Sequence, residues 1–338
     1  MKKTAISKIL IIQTASIGDV VLATPVIEKL HLFYPEAHID FLVKKNIEGI
    51  LKNSPHLRQV IVWDKSAKKY AHLKELIQII RTENYDCVVN LQRFAASGII
   101  TTLSGAVIKL GFNKNPFSPF FTKSVKHLIT ADKAKGNHEV ERNLTVIDCI
   151  TDGNHQFKVR LYPSQADFAK VSQYKTNRYI CVAPASLWFT KQYPAEKWIE
   201  FLFSIDKALY VYFLGSPSDV GLCNEMIAKS GHTNSLNLSG KLSFLESAAL
   251  MKDAAMNFVN DSAPLHFASA MNAPVTAIFC STTPNYGFGP LSENSVVVEA
   301  KIDLPCKPCG LHGFRQCPEK HFKCALNIKK EQLLSRLQ

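Results

Sequence analysis

With 338 residues, 46% of them hydrophobic and 20 of them phenylalanine, the chain has the material for two cored domains. No apolar run approaches the ~20 residues that span a bilayer, which excludes a membrane-spanning helix. The formal net charge is +12, but no nucleic-acid motif is visible, so an anionic membrane face or an anionic substrate fits the excess better.

The basic residues are scattered (Lys44, Lys45, Lys68, Lys69, Lys133, Lys135, Lys329, Lys330) rather than gathered into an arm. Lys2, Lys3 and Lys8 imitate the start of a signal peptide, but Gln13, Thr14 and Asp19 break the apolar stretch behind them too early. The expected location is therefore cytoplasmic. Ile9–Ile12 reads as a buried parallel strand and Thr14–Gly18 as a tight turn. Val20, Val21, Ala23, Val26, Ile27 and Leu30 then recur at helical spacing. A strand, a short turn and a helix put Asp19 at the carboxyl edge of a sheet, where open α/β sheets bind ligands. Asp19 is either a helix cap or an acid facing a cleft, suited to act as a base. The turn has neither G-x-G-x-x-G nor the Walker A pattern, which implies that this half does not hold a nucleotide.

Strands are expected at His38–Lys45, Gln59–Trp63, Tyr85–Leu91 and Val107–Phe112, and helices at Leu73–Arg81 and His138–Ile150. Lys114–Lys126, with two prolines, reads as a loop or hairpin. Arg93, at a strand's carboxyl end, suits an anionic acceptor or equally a nearby carboxylate. The pattern then restarts. Strands are expected at Tyr179–Ala183, Leu209–Leu214, Leu236–Leu238, Met256–Asn260 and finally Pro274–Cys280, with helices at Ala195–Phe203, Phe244–Lys252 and Leu265–Met271. This rhythm predicts an α/β chain with doubly wound parallel sheets in two halves, 1–160 and 161–338, and a cleft between them.

Three loops of the second half carry polar residues at strand ends. In Pro184–Pro194, PASLWFTKQYP, Lys191 is a compact charge suited to a pyrophosphate, or simply a solvated lysine. In LGSPSD, Asp219 suits a ribose hydroxyl, although turn chemistry explains it nearly as well. In NDSAPLH, Asp261 and Ser262 open a helix whose N-terminus is an anion site. His266, one turn in, is either part of that site or a satisfied core histidine. Ser239, Gly240 and Lys241 form a further small turn between these loops.

Taken together, SIGDVVLATP, PASLWFTKQYP and NDSAPLHFASAMNAP, in this order and spacing, resemble glycosyltransferase family nine, the bacterial heptosyltransferases. The resemblance implies the GT-B fold, two Rossmann-like domains facing across a cleft. It implies that the N-terminal domain binds the acceptor and the C-terminal domain the nucleotide-sugar. It matches Asp19 to the base, Arg93's domain to the acceptor, and Lys191 to the phosphate-binding lysine. Ser186 falls where hydroxyls meet phosphate, Asp219 where an acid meets the ribose, and Asp261, Ser262, Ala263 and His266 on the donor loop, with Gly240 nearby. The implied reaction is inverting transfer of a heptose from ADP-heptose to a lipopolysaccharide core or related anionic glycolipid, at the inner membrane surface and without a catalytic metal. The donor loop departs from the Thr-Gly that many relatives have after the aspartate, and Pro264 removes an N–H there.

Cys87, Cys149, Cys181, Cys223 and Cys280 lie in apolar contexts and read as buried thiols. Cys306, Cys309, Cys317 and Cys324, interleaved with His312 and His321, have the content of a structural zinc knuckle. Reduced, loosely packed thiols are the alternative, and disulfides are disfavoured in a reducing compartment. Two other functions compete with glycosyl transfer. One is a GT-B nucleotide-sugar epimerase that needs no acceptor; the other, weaker, is a basic zinc-containing nucleic-acid binder.

Overall fold

The structure is a computed structural model that describes residues 6–65, 69–134 and 136–337. Lys2, Lys3, Lys68 and Lys135 lie outside the described residues. The chain divides into two compact units. The first runs to Ile129 and resumes at Glu139–Tyr162; the second comprises Thr130–His138 and everything from Pro163 onward.

The first unit contains β1 (Lys8–Ile12), α1 (Ile17–Phe33), β2 (His38–Lys44), β3 (Gln59–Trp63), α2 (Lys69–Thr82), β4 (Cys87–Asn90), α3 (Ala95–Leu103), β5 (Ile108–Phe112), β6 (Lys123–Val125) and α4 (Glu139–Thr145). Its strands form one sheet in the order β3-β2-β1-β4-β5-β6, and every pairing is parallel. The continuous apolar run Ile9–Ile12 sits in this sheet between β2 and β4, fully buried.

α1 is buried around almost its whole circumference, which places two unusual residues. Pro25 cannot donate to the Val21 carbonyl, and the Thr24 hydroxyl takes that carbonyl instead at 2.8 Å. Lys29 is fully buried, its ammonium donating to the carbonyls of Asp152 and Asn154 and pairing with the carboxylates of Asp148 (3.3 Å) and Asp152 (3.2 Å). A buried charge needs such satisfaction, and here it clamps the segment after α4 onto the helix that begins beside Asp19.

The second unit contains α5 (Gln165–Val171), β7 (Tyr179–Ala183), α6 (Ala195–Ser204), β8 (Tyr210–Phe213), α7 (Val220–Ser230), β9 (Ser235–Asn237), α8 (Phe244–Lys252), β10 (Met256–Asn260), α9 (Ala263–Ala270), β11 (Val275–Ile278), β12 (Ser295–Val298), α10 (Lys323–Leu326) and α11 (Glu331–Leu334). Its sheet, again all parallel, has the order β12-β11-β10-β7-β8-β9. Counted from β7, this is the same order as in the first unit. Both are the doubly wound Rossmann type, in which the order reverses between the first and fourth strands and leaves a ligand crevice at their carboxyl ends.

Several expectations are corrected. Pro274–Cys280 is not the last strand, because β12 pairs beyond it. Lys114–Lys126 is not only a loop, because it ends in the edge strand β6. The helix expected at His138–Ile150 is confined to α4, and α3, α5 and α7 were not foreseen. Cys149 is exposed, while Cys87, Cys181, Cys223 and Cys280 are buried as expected. No helix among the described residues is long and apolar enough to cross a membrane.

Candidate functional site

In the first unit, the chain leaves β1 into the turn that carries Asp19 and leaves β4 into Gln92 and Arg93, so these residues share that unit's switch point. Asp19 is the third residue of α1 and half-buried. Its Oδ2 accepts from the Ser16 hydroxyl (2.6 Å) and the Ser16 N–H (3.0 Å), while its own N–H donates to Ser16 Oγ (3.4 Å). This is a capping box with aspartate in the third place, and it fixes the carboxylate beside the turn. Beneath it lies a buried amide network. With the Gln92 amide nitrogen donating to Thr14 Oγ1 (2.9 Å), its oxygen accepts from the Ala15 N–H (2.8 Å) and the Thr14 N–H (3.2 Å). Lys65 Nζ donates to Thr14 Oγ1 (2.9 Å) and to the Thr14 carbonyl (3.1 Å), and lies 4.4 Å above the Trp63 ring. Arg93 lies 5.9 Å from the Phe94 ring, and no carboxylate pairs with it among the described residues.

In the second unit, the loop after β7 carries Ser186 and Lys191, and the turn after β10 carries Asp261 and Ser262, again at the switch point. Asn260, fully buried at the end of β10, holds both ends of the lysine loop. Its Nδ2 donates to the Pro184 carbonyl and its Oδ1 accepts from the Tyr193 N–H (3.1 Å). Within the loop, the Gln192 amide donates to the Ser186 carbonyl at 2.6 Å. The result is an ion pair of 2.7 Å between Lys191 Nζ and Asp261 Oδ2, with both side chains largely buried. The same carboxylate oxygen accepts from the Thr282 hydroxyl at 2.6 Å.

Ser262 is the N-cap of α9 but makes no side-chain cap hydrogen bond, and Ala263 and Pro264 form the first turn. His266 is buried with no partner at Nδ1. Burial pushes its pKa down to about 4, aided by the charges of His138 and Lys191 and opposed by Asp261. It is therefore a neutral imidazole with hydrogen-bonding capacity left over.

Asp219 and Gly240 form a second group. Asp219 Oδ2 accepts from the Ser216 N–H and hydroxyl, both at 2.7 Å. Gly240 adopts φ +71°, and its N–H donates to the Gly215 carbonyl at 2.9 Å. A side chain there would collide with Pro217, whose Cα lies 3.0 Å from the Cβ position.

Thr282, Thr190 and Ser281 are polar residues of this region that sequence reasoning missed. Thr190 is buried. Its hydroxyl accepts from Ser281 Oγ (3.0 Å) and from the Phe314 N–H (2.8 Å), and its own N–H donates to the Phe314 carbonyl (3.1 Å). The cysteine-rich segment is thus strapped to the lysine loop. Within that segment, Cys306 Sγ lies 3.9 Å from His321 Nε2 and Cys309 Sγ donates to the Cys306 carbonyl at 3.0 Å. All nine thiols are free. Burial raises the pKa of Cys309, and pushes that of Cys324 up to about 11, with the neighbouring cysteines adding to both. The zinc-like content does not resolve into a site: among the described residues, no three His, Cys, Asp or Glu side chains are arranged to hold a metal.

The sequence model of glycosyltransferase family 9 (heptosyltransferase) matches residues 73–321. Lipopolysaccharide heptosyltransferase 3 of Escherichia coli is 29% identical over 296 residues, covering 82% of this chain and 85% of that protein. Among solved structures, a family 9 glycosyl transferase from Veillonella parvula superposes with a TM-score of 0.81 at 20% identity, covering 98% of this chain and 95% of that one. The E. coli ADP-heptose lps heptosyltransferase II superposes with a TM-score of 0.79 at 19% identity, covering 98% and 97%. These likenesses show the fold, two Rossmann-like units of the GT-B class.

Proposed function

The chain belongs to glycosyltransferase family 9, the heptosyltransferases, and from that premise we propose that it transfers a heptose from ADP-heptose to a hydroxyl of a lipopolysaccharide core. The first unit serves the acceptor and the second the nucleotide-sugar. The observation that carries the second assignment is the Lys191–Asp261 pair at the β7–β10 switch point, at the head of α9. A lysine and a helix N-terminus converge there, which is what a diphosphate requires.

The reaction is a single displacement. The acceptor oxygen forms its bond to the anomeric carbon on the face opposite the diphosphate, and the carbon–oxygen bond to the diphosphate breaks with its electron pair leaving on ADP. Asp19 takes the acceptor proton, a role worth ~10²–10⁴-fold. Lys191 and the N–H groups of Ser262 and Ala263 meet the charge that grows on the departing phosphate, so they act more strongly in the transition state than before it. With that charge met by the protein, the displacement calls for no divalent metal. His266, neutral and with Nδ1 unpartnered, holds a donor hydroxyl or phosphate oxygen without adding charge. Ser186 meets a phosphate oxygen, while Asp219 and the Gly240 turn receive the ribose. Arg93 meets an anionic group of the acceptor, which is presented at the cytoplasmic face of the inner membrane.

The test is release of ADP from ADP-heptose by the purified protein, with and without core acceptor. Acceptor-dependent release with inverted configuration in the product is the expected result. Donor turnover without acceptor would replace this reading with that of an epimerase or hydrolase.

A further inference from the structure

The segment from Leu304 to Leu326 holds four of the nine cysteines, and the proposed transfer reaction uses none of them. Cys306 and Cys309 form a C-x-x-C turn, and both are partly exposed, whereas Cys324 is buried. The two sulfurs of the turn are not equivalent. Cys309 Sγ turns back on residue 306 and donates to its carbonyl at 3.0 Å. Burial raises the pKa of this thiol and keeps it protonated, with the neighbouring Cys306 and Cys317 adding to the effect. Cys306 Sγ instead faces His321 Nε2 at 3.9 Å. The Lys323 N–H donates to His321 Nδ1 at 3.1 Å, so in the neutral ring the proton sits on Nε2, the nitrogen that faces the Cys306 sulfur. A donor aimed at its sulfur suits Cys306 as the attacking atom. Lys320 (φ +56°) and Phe322 (φ +42°) bracket His321 in left-handed backbone, which residues other than glycine keep only where their surroundings over-determine it.

Three contacts wire this segment to the lysine loop. The Cys309 N–H donates to the Ser281 carbonyl at 2.7 Å, and the Ser281 hydroxyl in turn donates to Thr190. Phe314 exchanges hydrogen bonds with Thr190. Phe322, next to His321, packs on Phe189 with ring centroids 5.0 Å apart. All three lead to the single turn Phe189–Lys191, which delivers Lys191 to Asp261.

We infer that Cys306 and Cys309 are a dithiol modified by hydrogen peroxide, and that closing it to a disulfide loosens the lysine loop. The Cys306 thiolate attacks one peroxide oxygen. An S–O bond forms, the O–O bond breaks, and the leaving oxygen takes a proton and departs as water. The Cys309 sulfur, giving up its proton, then attacks the sulfenic acid on Cys306. The S–S bond forms, the S–O bond breaks, and the second water departs. Two thiols and one hydrogen peroxide thus become one disulfide and two waters. To close the bond, Cys309 Sγ must leave the Cys306 carbonyl, and that movement passes through the Cys309 N–H to Ser281 and Thr190. The dithiol chemistry is independent of the proposed transfer reaction, and only its effect on ADP binding rests on that reading.

The experiment treats the full chain with hydrogen peroxide, blocks the remaining thiols with N-ethylmaleimide and reads the tryptic peptides by mass spectrometry. Trypsin does not cut between Lys307 and Pro308, so peptide 302–315 carries Cys306 and Cys309 and no other cysteine. In the wild type this peptide should lose two hydrogens, faster than the exposed Cys149 reacts, and dithiothreitol should restore them. Cys309→Ser should stop at a sulfenic acid on Cys306 that dimedone traps, Cys306→Ser should leave Cys309 reduced, and His321→Ala should slow the loss severalfold. Hydrogen exchange at Phe189–Lys191 should quicken severalfold in the oxidised wild type, return with dithiothreitol, and not respond to peroxide in Cys306→Ser. The rise in melting temperature on adding ADP should shrink in parallel. A peptide that stays reduced while Cys149 oxidises, oxidation of Cys309 at the wild-type rate in Cys306→Ser, unchanged exchange on oxidation, or a stoichiometric metal ion holding these thiols in the purified protein would each overturn the assignment. Absence of any ADP effect in the reduced wild type would count against the donor-site reading, and the peptide masses and exchange rates would still decide the dithiol.

Discussion

Gly313 lies against Thr190, and a β-carbon at position 313 would sit 2.8 Å from the Thr190 hydroxyl oxygen. Gly313 also has φ +74°, a conformation that disfavours any other residue. Through this contact and the paired hydrogen bonds between Thr190 and Phe314, the cysteine-rich segment braces the turn that ends in Lys191. Thr190→Val leaves the Phe314 N–H and Ser281 hydroxyl without their acceptor, which costs ~1–3 kcal/mol of stability. Because the brace acts on Lys191, the KM for ADP-heptose should rise severalfold in Thr190→Val and Gly313→Ala. Thr190→Ser, which keeps the hydroxyl, should restore it. Thermal melting and steady-state kinetics read both effects, and a stability loss with unchanged KM would make Thr190 a purely structural residue.

Lys191 and Asp261 share a largely buried ion pair, so removing either charge has a defined sign. In the wild type, saturating ADP should raise the melting temperature, since a ligand that binds only the folded form stabilises it by ~2.7 kcal/mol at a hundredfold excess over Kd. Lys191→Ala should abolish that shift at the same concentration. Asp261→Asn removes a negative charge beside the anionic ligand and should tighten ADP binding by about 1 kcal/mol, roughly fivefold. An unchanged ADP shift in Lys191→Ala would remove the lysine from the diphosphate site.

Much of this geometry was legible because strand ends are legible. Buried runs such as Tyr179–Ala183 and Met256–Asn260 mark the centre of a sheet, and residues just past them, Lys191 and Asp261, lie at its carboxyl edge. What pairs with them was not legible. Thr282 reaches Asp261 across 21 residues, Ser281 reaches Thr190 across 91, and Phe314 reaches Thr190 across 124. Such partners are set by tertiary packing, which leaves no local pattern in the chain. The unforeseen α3 has the same origin. AASGIITTL contains a glycine and β-branched residues that disfavour a helix, and Asn115 and the packing of Phe117 hold it in place. Strand β12, four residues without alternation, was hidden for want of length.

Asp19 offers a clean separation of structure from chemistry. Asp19 is the third helical residue of a box whose N-cap is Ser16, and Asp19→Asn keeps an amide oxygen that accepts from the Ser16 N–H and hydroxyl. Its stability and ADP binding should therefore stay near wild type. Turnover should fall by ~10²–10⁴-fold, because the amide cannot take the acceptor proton. A cap-only role predicts that the Asn variant turns over normally, so a rate measurement at saturating donor decides between the two roles.

The neutral state of His266 sets a pH dependence. Its folded pKa is pushed down to about 4 from an ordinary value of 6.5, chiefly by burial. Between those values the unfolded chain binds a proton that the folded chain does not, so stability rises with pH across the window. The contribution is complete above the ordinary value and is lost as pH falls toward 4, amounting to roughly 3 kcal/mol at ~1.4 kcal/mol per unit. His56 and His232, also lowered by burial, act with the same sign. Urea midpoints should therefore fall from pH 7 to pH 5, ahead of most carboxylate titration. In His266→Gln that fall should be visibly shallower, because the residue that resists protonation in the folded chain is gone. An identical slope in the variant would mean that His266 is protonated as easily in the folded protein as in the unfolded one, and its role as an uncharged hydrogen-bonding partner in the donor site would go with it.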